Sequence, residues 1–157
     1  MIVLFLGLTL ANFACLITTA ILGYAGGASS WHRLAGALAA IVCCGVHCVV
    51  FTYFIATGKW IEHAILIKQL DPAISLPTRT FKAVAFPAAL GSITLAIATA
   101  IVGAAVDNQY LSAAWHHVLA MLLLGGNLGA AFVEYRAIRD NGLLIDTILA
   151  RINARSA

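Results

Sequence analysis

Hydrophobic residues fill four long stretches of the chain, and polar residues are concentrated in the short segments between them. Each stretch is long enough to cross the ~30 Å hydrocarbon core of a bilayer as an α-helix, which takes ~20 residues. Backbone groups in lipid must bond within their own segment, so helices are the expected structure. We therefore predict an all-α integral membrane four-helix bundle in a single domain, residues 1–157. The predicted transmembrane helices cover about residues 2–25, 34–58, 83–106 and 112–135.

The composition agrees with this pattern. Of the 157 residues, 62% are hydrophobic and 10% are charged, and the mean hydropathy is +0.99. A soluble domain carries about 25% charged residues. The predicted surroundings are therefore a lipid bilayer, and the lack of a basic patch interleaved with aromatic residues argues against nucleic-acid binding. The sequence contains no nucleophile elbow, phosphate-binding loop or zinc-protease helix, so we do not predict an enzyme that works on its own.

Basic residues are distributed unevenly between the two sides of the predicted bundle. The first connection has Arg33 alone, and the third connection, residues 107–109, has no basic residue. Because Lys and Arg favour the cytoplasmic side, we predict that both termini face the cytoplasm, in a bacterial inner membrane. The basic residues of the second connection and the C-terminal segment are Lys59, Lys68, Arg79, Lys82, Arg136, Arg139, Arg151 and Arg155.

Two segments are predicted to extend the helices on the cytoplasmic side. The second helix keeps an amphipathic pattern as far as Leu70, where Asp71 and Pro72 end it. After Asn141, the residues from about 142 to 153 form a second amphipathic segment, which we predict to lie along the membrane interface. No internal repeat is visible in the sequence.

A layer of polar side chains is predicted near the middle of the membrane. Counted at ~1.5 Å per residue from the outer ends of their helices, Asn12, His47 and Asn127 all lie ~20 Å deep. At 100° per residue, His116, Asn127 and Glu134 share one face of the fourth helix. Such a face must contact protein, or water held by protein.

This layer has two interpretations, and the sequence favours neither. The side chains could satisfy one another and fix the register of the helices, each bond contributing ~0.6 kcal/mol. Alternatively, they could bind a cofactor or a quinone, or handle protons. The depth count gives His47 no acidic partner, and Glu134 is predicted to pair with Lys59 or Lys82 at the inner end of the bundle.

The histidines are the main candidates for cofactor binding. A b-type haem needs two axial ligands at similar depth, each ~2 Å from the iron. His47 with His116 or His117 would supply them from facing helices, with Asn12 and Asn127 nearby. However, the helix rise places His116 and His117 ~12 Å shallower than His47, which is unfavourable for a shared iron.

A shallower candidate site lies near the outer ends of the helices. There His32, His116 and His117 could bind zinc, copper or haem, with Asp107 nearby. The alternative, which we favour, is that these histidines belong to a belt of amphipathic side chains at the level of the lipid headgroups.

The cysteines offer one more candidate. All lie in hydrophobic stretches, which argues against a disulfide framework and favours buried thiols that pack as small apolar groups. On a helix, Cys43 and Cys44 share a face with His47, so the sequence also allows a site for a soft metal ion.

The leading functional hypothesis is a small accessory subunit of a larger membrane complex that handles electrons or protons. It rests on the short connections, the intramembrane histidine and the lack of a soluble active site. The expected partners are other membrane subunits or further copies of the chain. One alternative is a cytochrome subunit that binds b-type haem or quinone, and another is a small transporter or channel.

Overall fold

A computed structural model describes residues 1–26 and 29–156 of the chain, without the side chains of residues 26, 155 and 156, so that the side chain of Arg155 lies outside the described residues. The described chain is helical, and its four long helices are long and apolar enough to span a membrane, as predicted. They are α1 (Ile2–Gly26), α2 (Ser30–Lys68), α3 (Leu76–Asp107) and α4 (Ala113–Ser156), with a short 3-10 helix at Pro72–Ser75.

The helices run up and down in sequence and form one bundle. The end of α1, the start of α2 and the α3–α4 connection lie together at one end, which we call the connection end, where Arg33 pairs with Asp107 and His117 stacks on Tyr24. The α2–α3 connection, the start of α1 and the last described turns of α4 lie at the other, the terminal end. This arrangement follows from short connections, which make consecutive helices antiparallel neighbours.

Local sequence signals explain where α2 and α3 begin and end. The hydroxyl of Ser29 caps α2 by accepting a hydrogen bond from the backbone N–H of His32 at 3.2 Å. At the other end of α2, Gln69 adopts a left-handed conformation with φ of 49°. Helix α3 starts at Leu76, seven residues before the predicted position of 83. Pro77 lies in its first turn, where backbone N–H groups have no helical acceptor, so the missing N–H group of proline does not interrupt the helix.

Helix α4 corrects the prediction of a separate C-terminal segment. It is a single helix of 44 residues, and Asn141 lies inside it rather than in a break. The apolar face of its last turns packs against the extension of α2, where Ile61, Leu70 and Ile148 are buried together. Part of the apolar side of the C-terminal segment is therefore buried against protein.

The structure also reveals an internal repeat that the sequence did not show. The α1–α2 and α3–α4 hairpins bury side chains in the same register, with an offset of 80 residues between α1 and α3 (Asn12 to Ser92) and of 84 between α2 and α4 (His32 to His116). The matched buried residues are Phe5 and Ala85, Asn12 and Ser92, Leu16 and Ala96, Ala39 and Leu123, Cys43 and Asn127, Val46 and Ala130, Val50 and Glu134, and Phe54 and Ile138. None of these pairs is identical, so the repeat is one of burial and position.

Candidate functional site

A histidine in the first turn of α2 is fixed against the end of α1. The Nδ1 atom of His32 lies 3.0 Å from the backbone carbonyl oxygen of Thr19. The ring fills the space beside Gly23, where a Cβ atom would come within 2.8 Å of the ring Cε1 atom. Glycine is therefore the residue that admits the imidazole at this position.

The second hairpin holds His116 in the same way. The Nδ1 atom of His116 lies 3.2 Å from the carbonyl oxygen of Thr99 on α3. A Cβ atom at Gly103 would lie 2.9 Å from the ring Cε1 atom. A threonine, a glycine four residues later and a histidine at the start of the next helix thus recur in both hairpins.

These contacts decide which ring nitrogen can bind a ligand. A carbonyl oxygen only accepts hydrogen bonds, so Nδ1 of each ring carries the proton and donates it. The Nε2 atom of each neutral ring then keeps an unshared electron pair. A donor bond from one ring nitrogen to a carbonyl is the usual way in which proteins orient histidines that bind metal through the other nitrogen.

The two rings line the same cavity between the four helices at the connection end. Their centroids are 6.0 Å apart and their planes are inclined at 84°. The cavity has a volume of about 570 Å³, which lies within the ~300–1,000 Å³ of typical ligand sites. Small side chains make up much of its wall, including Gly36, Ala39, Ala40, Ala96, Ala100 and Gly103.

Charged and aromatic side chains lie at the open end of this cavity. Arg33 is more than half exposed and lies 3.8 Å from Asp107 in an ion pair. His117 stacks on Tyr24, with ring centroids 5.6 Å apart, and is exposed. The structure thus groups the predicted residues His32, His116 and His117, and gives the first two equivalent environments.

The mid-membrane residues form a separate, fully buried group. Asn12 donates a hydrogen bond to the side-chain oxygen of Asn127 at 2.9 Å, and Nε2 of His47 lies 3.2 Å from that same oxygen. Nδ1 of His47 lies 2.8 Å from a carboxylate oxygen of Glu134. All four side chains are at most 2% exposed.

This group corrects two expectations. His47 does have an acidic partner, and Glu134 pairs with it instead of with Lys59 or Lys82. The depth count missed this ion pair because it gives the height of each Cα atom and not the reach of the side chain. Glu134 lies two turns beyond Asn127 on the same face of α4, and its long side chain can extend back toward the level of His47.

The structure does not bring His47 and His117 together. His47 contacts Asn127, which lies ten residues beyond His117 on α4 and therefore ~15 Å from it along the helix axis. Both ring nitrogens of His47 are also engaged in hydrogen bonds. A single iron bound by His47 and His117, or by His47 and His116, does not fit this arrangement.

Within residues 1–26 and 29–156, no three or more His, Cys, Asp or Glu side chains are grouped so that they could hold a metal ion. Zinc sites use three or four protein ligands, whereas haem iron needs one or two. The thiol of Cys43 donates to the side-chain oxygen of Asn127 at 3.4 Å and does not face a metal site. His32 and His116 supply two imidazoles, fewer than the three or four protein ligands of a typical zinc site.

Thr19 and Thr99, and Gly23 and Gly103, were not singled out from the sequence. The available signal was a shared spacing: Thr, three residues, Gly, then Trp–His at the start of the next helix. Comparison with known proteins adds no further residues, because no protein family, no curated protein and no solved structure matches this chain.

Proposed function

We propose that this protein is a membrane-bound b-type cytochrome subunit whose haem is held by His32 and His116. The observation that carries the proposal is the pair of equivalent imidazoles, each oriented by a carbonyl at Nδ1, facing one apolar cavity 6.0 Å apart. Of the two candidate haem sites, the proposal takes the shallower one, with His32, His116 and His117, and not the one with His47.

The separation of the rings suits two ligands of one haem. With about 2 Å for each iron–nitrogen bond and roughly 1.2 Å from each nitrogen to its ring centre, His32 and His116 would hold the iron with their centroids about 6.4 Å apart. The observed distance is 6.0 Å.

The cavity wall fits the remainder of a haem. Alanine and glycine side chains on all sides leave room for a flat, apolar macrocycle close to the helix backbones. Arg33 at the exposed end is placed to pair with the propionate groups, which are anionic and remain near water.

When bound, a haem with two histidine ligands supplies one-electron redox chemistry and has no open coordination position for a substrate. The expected role is therefore electron transfer between other redox groups. This is consistent with the hypothesis of a small accessory subunit in a larger electron-handling membrane complex, and the expected partners are a quinol or a second redox subunit.

We also propose that both termini face the cytoplasm of a bacterial inner membrane. The support is the distribution of Lys and Arg, which favours the terminal end as the cytoplasmic one. The cavity with His32 and His116 then lies near the outer face of the membrane.

The test is an absorption spectrum of the protein purified in mild detergent from cells that make haem. The protein is expected to show a Soret band and split visible bands of six-coordinate haem after reduction. His32→Ala and His116→Ala should each lose this six-coordinate spectrum. His117→Ala is one matched control, and His63→Ala, at an exposed position near the end of α2, is another. Both should retain it. A colourless protein after haem reconstitution, or a spectrum unchanged in both His32→Ala and His116→Ala, would refute the proposal.

A further inference from the structure

The buried pair of His47 and Glu134 lies outside the haem cavity and has no role in binding the haem. We propose that these two side chains form a proton-binding site in the core of the bundle, which exchanges one proton with water at the terminal end. This inference does not rest on the proposed haem, and it is tested without haem.

The hydrogen bonds of His47 require a proton that its ring shares with the carboxyl group of Glu134. The side-chain NH2 group of Asn127 donates to the carbonyl of Leu123 at 3.0 Å, which turns the side-chain oxygen of Asn127 toward His47. Because that oxygen only accepts, Nε2 of His47 must carry a proton. The contact of 2.8 Å between Nδ1 and Glu134 then needs a second proton, carried either by the ring or by the carboxyl group.

Loss of this proton would leave two unshared electron pairs facing each other in the membrane core. The observed positions of the two side chains therefore fit the protonated form of the pair. In the deprotonated form, the side chains would have to move apart or a water molecule would have to enter between them. Two coupled groups of this kind bind and release the proton as a unit. Cys43 is the other titratable side chain in the hydrogen-bonded group, and Asn12 from α1 contributes an amide that does not titrate.

In the internal repeat, the positions equivalent to these two residues carry apolar side chains. The position equivalent to Glu134 in the first hairpin is Val50, which is fully buried. The position equivalent to His47 in the second hairpin is Ala131. A buried ion pair contributes little net stability compared with apolar residues of similar volume. Each hairpin thus supplies one ionisable residue where the other has an apolar one, and this buried intramembrane pair points to a function in proton binding.

A cluster of polar side chains leads from this pair toward the terminal end. Two turns beyond Glu134, the NH2 group of Asn141 donates to the hydroxyls of Tyr53 and Thr57, both at 3.1 Å. Asn141 is completely buried, and its side-chain oxygen has no hydrogen-bond partner among the described residues. Hydroxyl groups both donate and accept, so with bridging water they can pass a proton along this route.

The experiment uses the full chain, labelled with 15N in its histidine rings and reconstituted in lipid bilayers. The nitrogen shifts report which ring nitrogens are protonated. The signal of His47 is assigned by its loss in the double variant His47→Ala with Glu134→Val, which copies the residues of the repeat and is expected to fold. In a titration from about pH 5 to about pH 11, this signal should change from the doubly protonated pattern at low pH to a neutral one at high pH.

The rate of exchange tests the route. After a pH jump, the infrared carboxylate bands that are absent in the double variant should change several-fold more slowly in Thr57→Val than in the native chain. Thr52→Val is the matched control, because Thr52 makes the same bond to its own helix but is exposed. An imidazole signal that stays constant over the whole pH range would refute the proton-binding site. Equal rates in Thr57→Val and Thr52→Val would refute the route through Asn141.

Discussion

His32 and His116 occupy equivalent positions in the two hairpins, and their rings meet with centroids 6.0 Å apart. His32 is the third residue of α2 and His116 the fourth residue of α4, so each lies in the first turn of the helix that follows a connection. Both rings face the same cavity between the four helices. The site therefore lies on the approximate symmetry axis of the repeat.

The glycines beside the two rings should control haem binding. In Gly23→Ala and Gly103→Ala, the new methyl group would lie 2.8 and 2.9 Å from a ring carbon, so the imidazole must move. We expect haem affinity to fall at least ~10-fold, which is ~1.4 kcal/mol. Haem titration followed at the Soret band measures this.

The controls for the glycine variants are Gly7→Ala on α1 and Gly91→Ala on α3, where nothing lies within 4 Å of the added Cβ atom. Both should bind haem as the native chain does. Equal losses in these controls and in the cavity variants would show that helix stability, and not the space beside the rings, determines binding.

Arg33 should contribute modestly to haem affinity. It is more than half exposed, and exposed ion pairs contribute ~0.2–1 kcal/mol. We therefore expect Arg33→Ala to weaken binding by roughly 1.5- to 5-fold, and Arg33→Lys to weaken it less. The same titration in low and high salt should show a smaller salt effect in Arg33→Ala, since salt screens the lost charge pair. A salt effect that Arg33→Ala leaves unchanged contradicts the assigned role.

Substitutions of His47 and Glu134 should not have additive effects on the free energy of unfolding. Glu134→Val leaves Nδ1 of His47 buried without a partner, which costs ~1–3 kcal/mol. Combining it with His47→Ala removes the orphaned group, so the double variant should be more stable than the sum of the single losses by ~1 kcal/mol or more. Reversible unfolding in detergent–lipid micelles measures each variant. Additive losses would mean that the contact of 2.8 Å has no energetic coupling.

The orientation of the bundle can be read from reporter fusions. A green fluorescent protein fused after the C-terminal residue should fluoresce, because it folds in the cytoplasm. An alkaline phosphatase fused at Asn108, in the α3–α4 connection, should be active, because it needs the periplasm. The opposite pair of results would overturn the orientation inferred from the basic residues.

The sequence alone determined that this is a membrane protein of four helices and that Asn12, His47 and Asn127 lie at one depth. Hydropathy is a local property, and the rise of a helix per residue is fixed, so a span and a height can be counted from the chain. The contacts among these three residues agree with that count.

Only the tertiary structure decided which side chains meet at each height. The partner of Glu134, the pairing of His32 with His116, and the packing of the last turns of α4 against α2 all depend on how each helix is rotated about its axis. That rotation is set by packing between helices that are far apart in sequence, and the many small and apolar residues of each helix leave several faces equally suited to contact. The sequence therefore determines the depth of each residue along its helix, and packing between helices determines which face of each helix contacts the others.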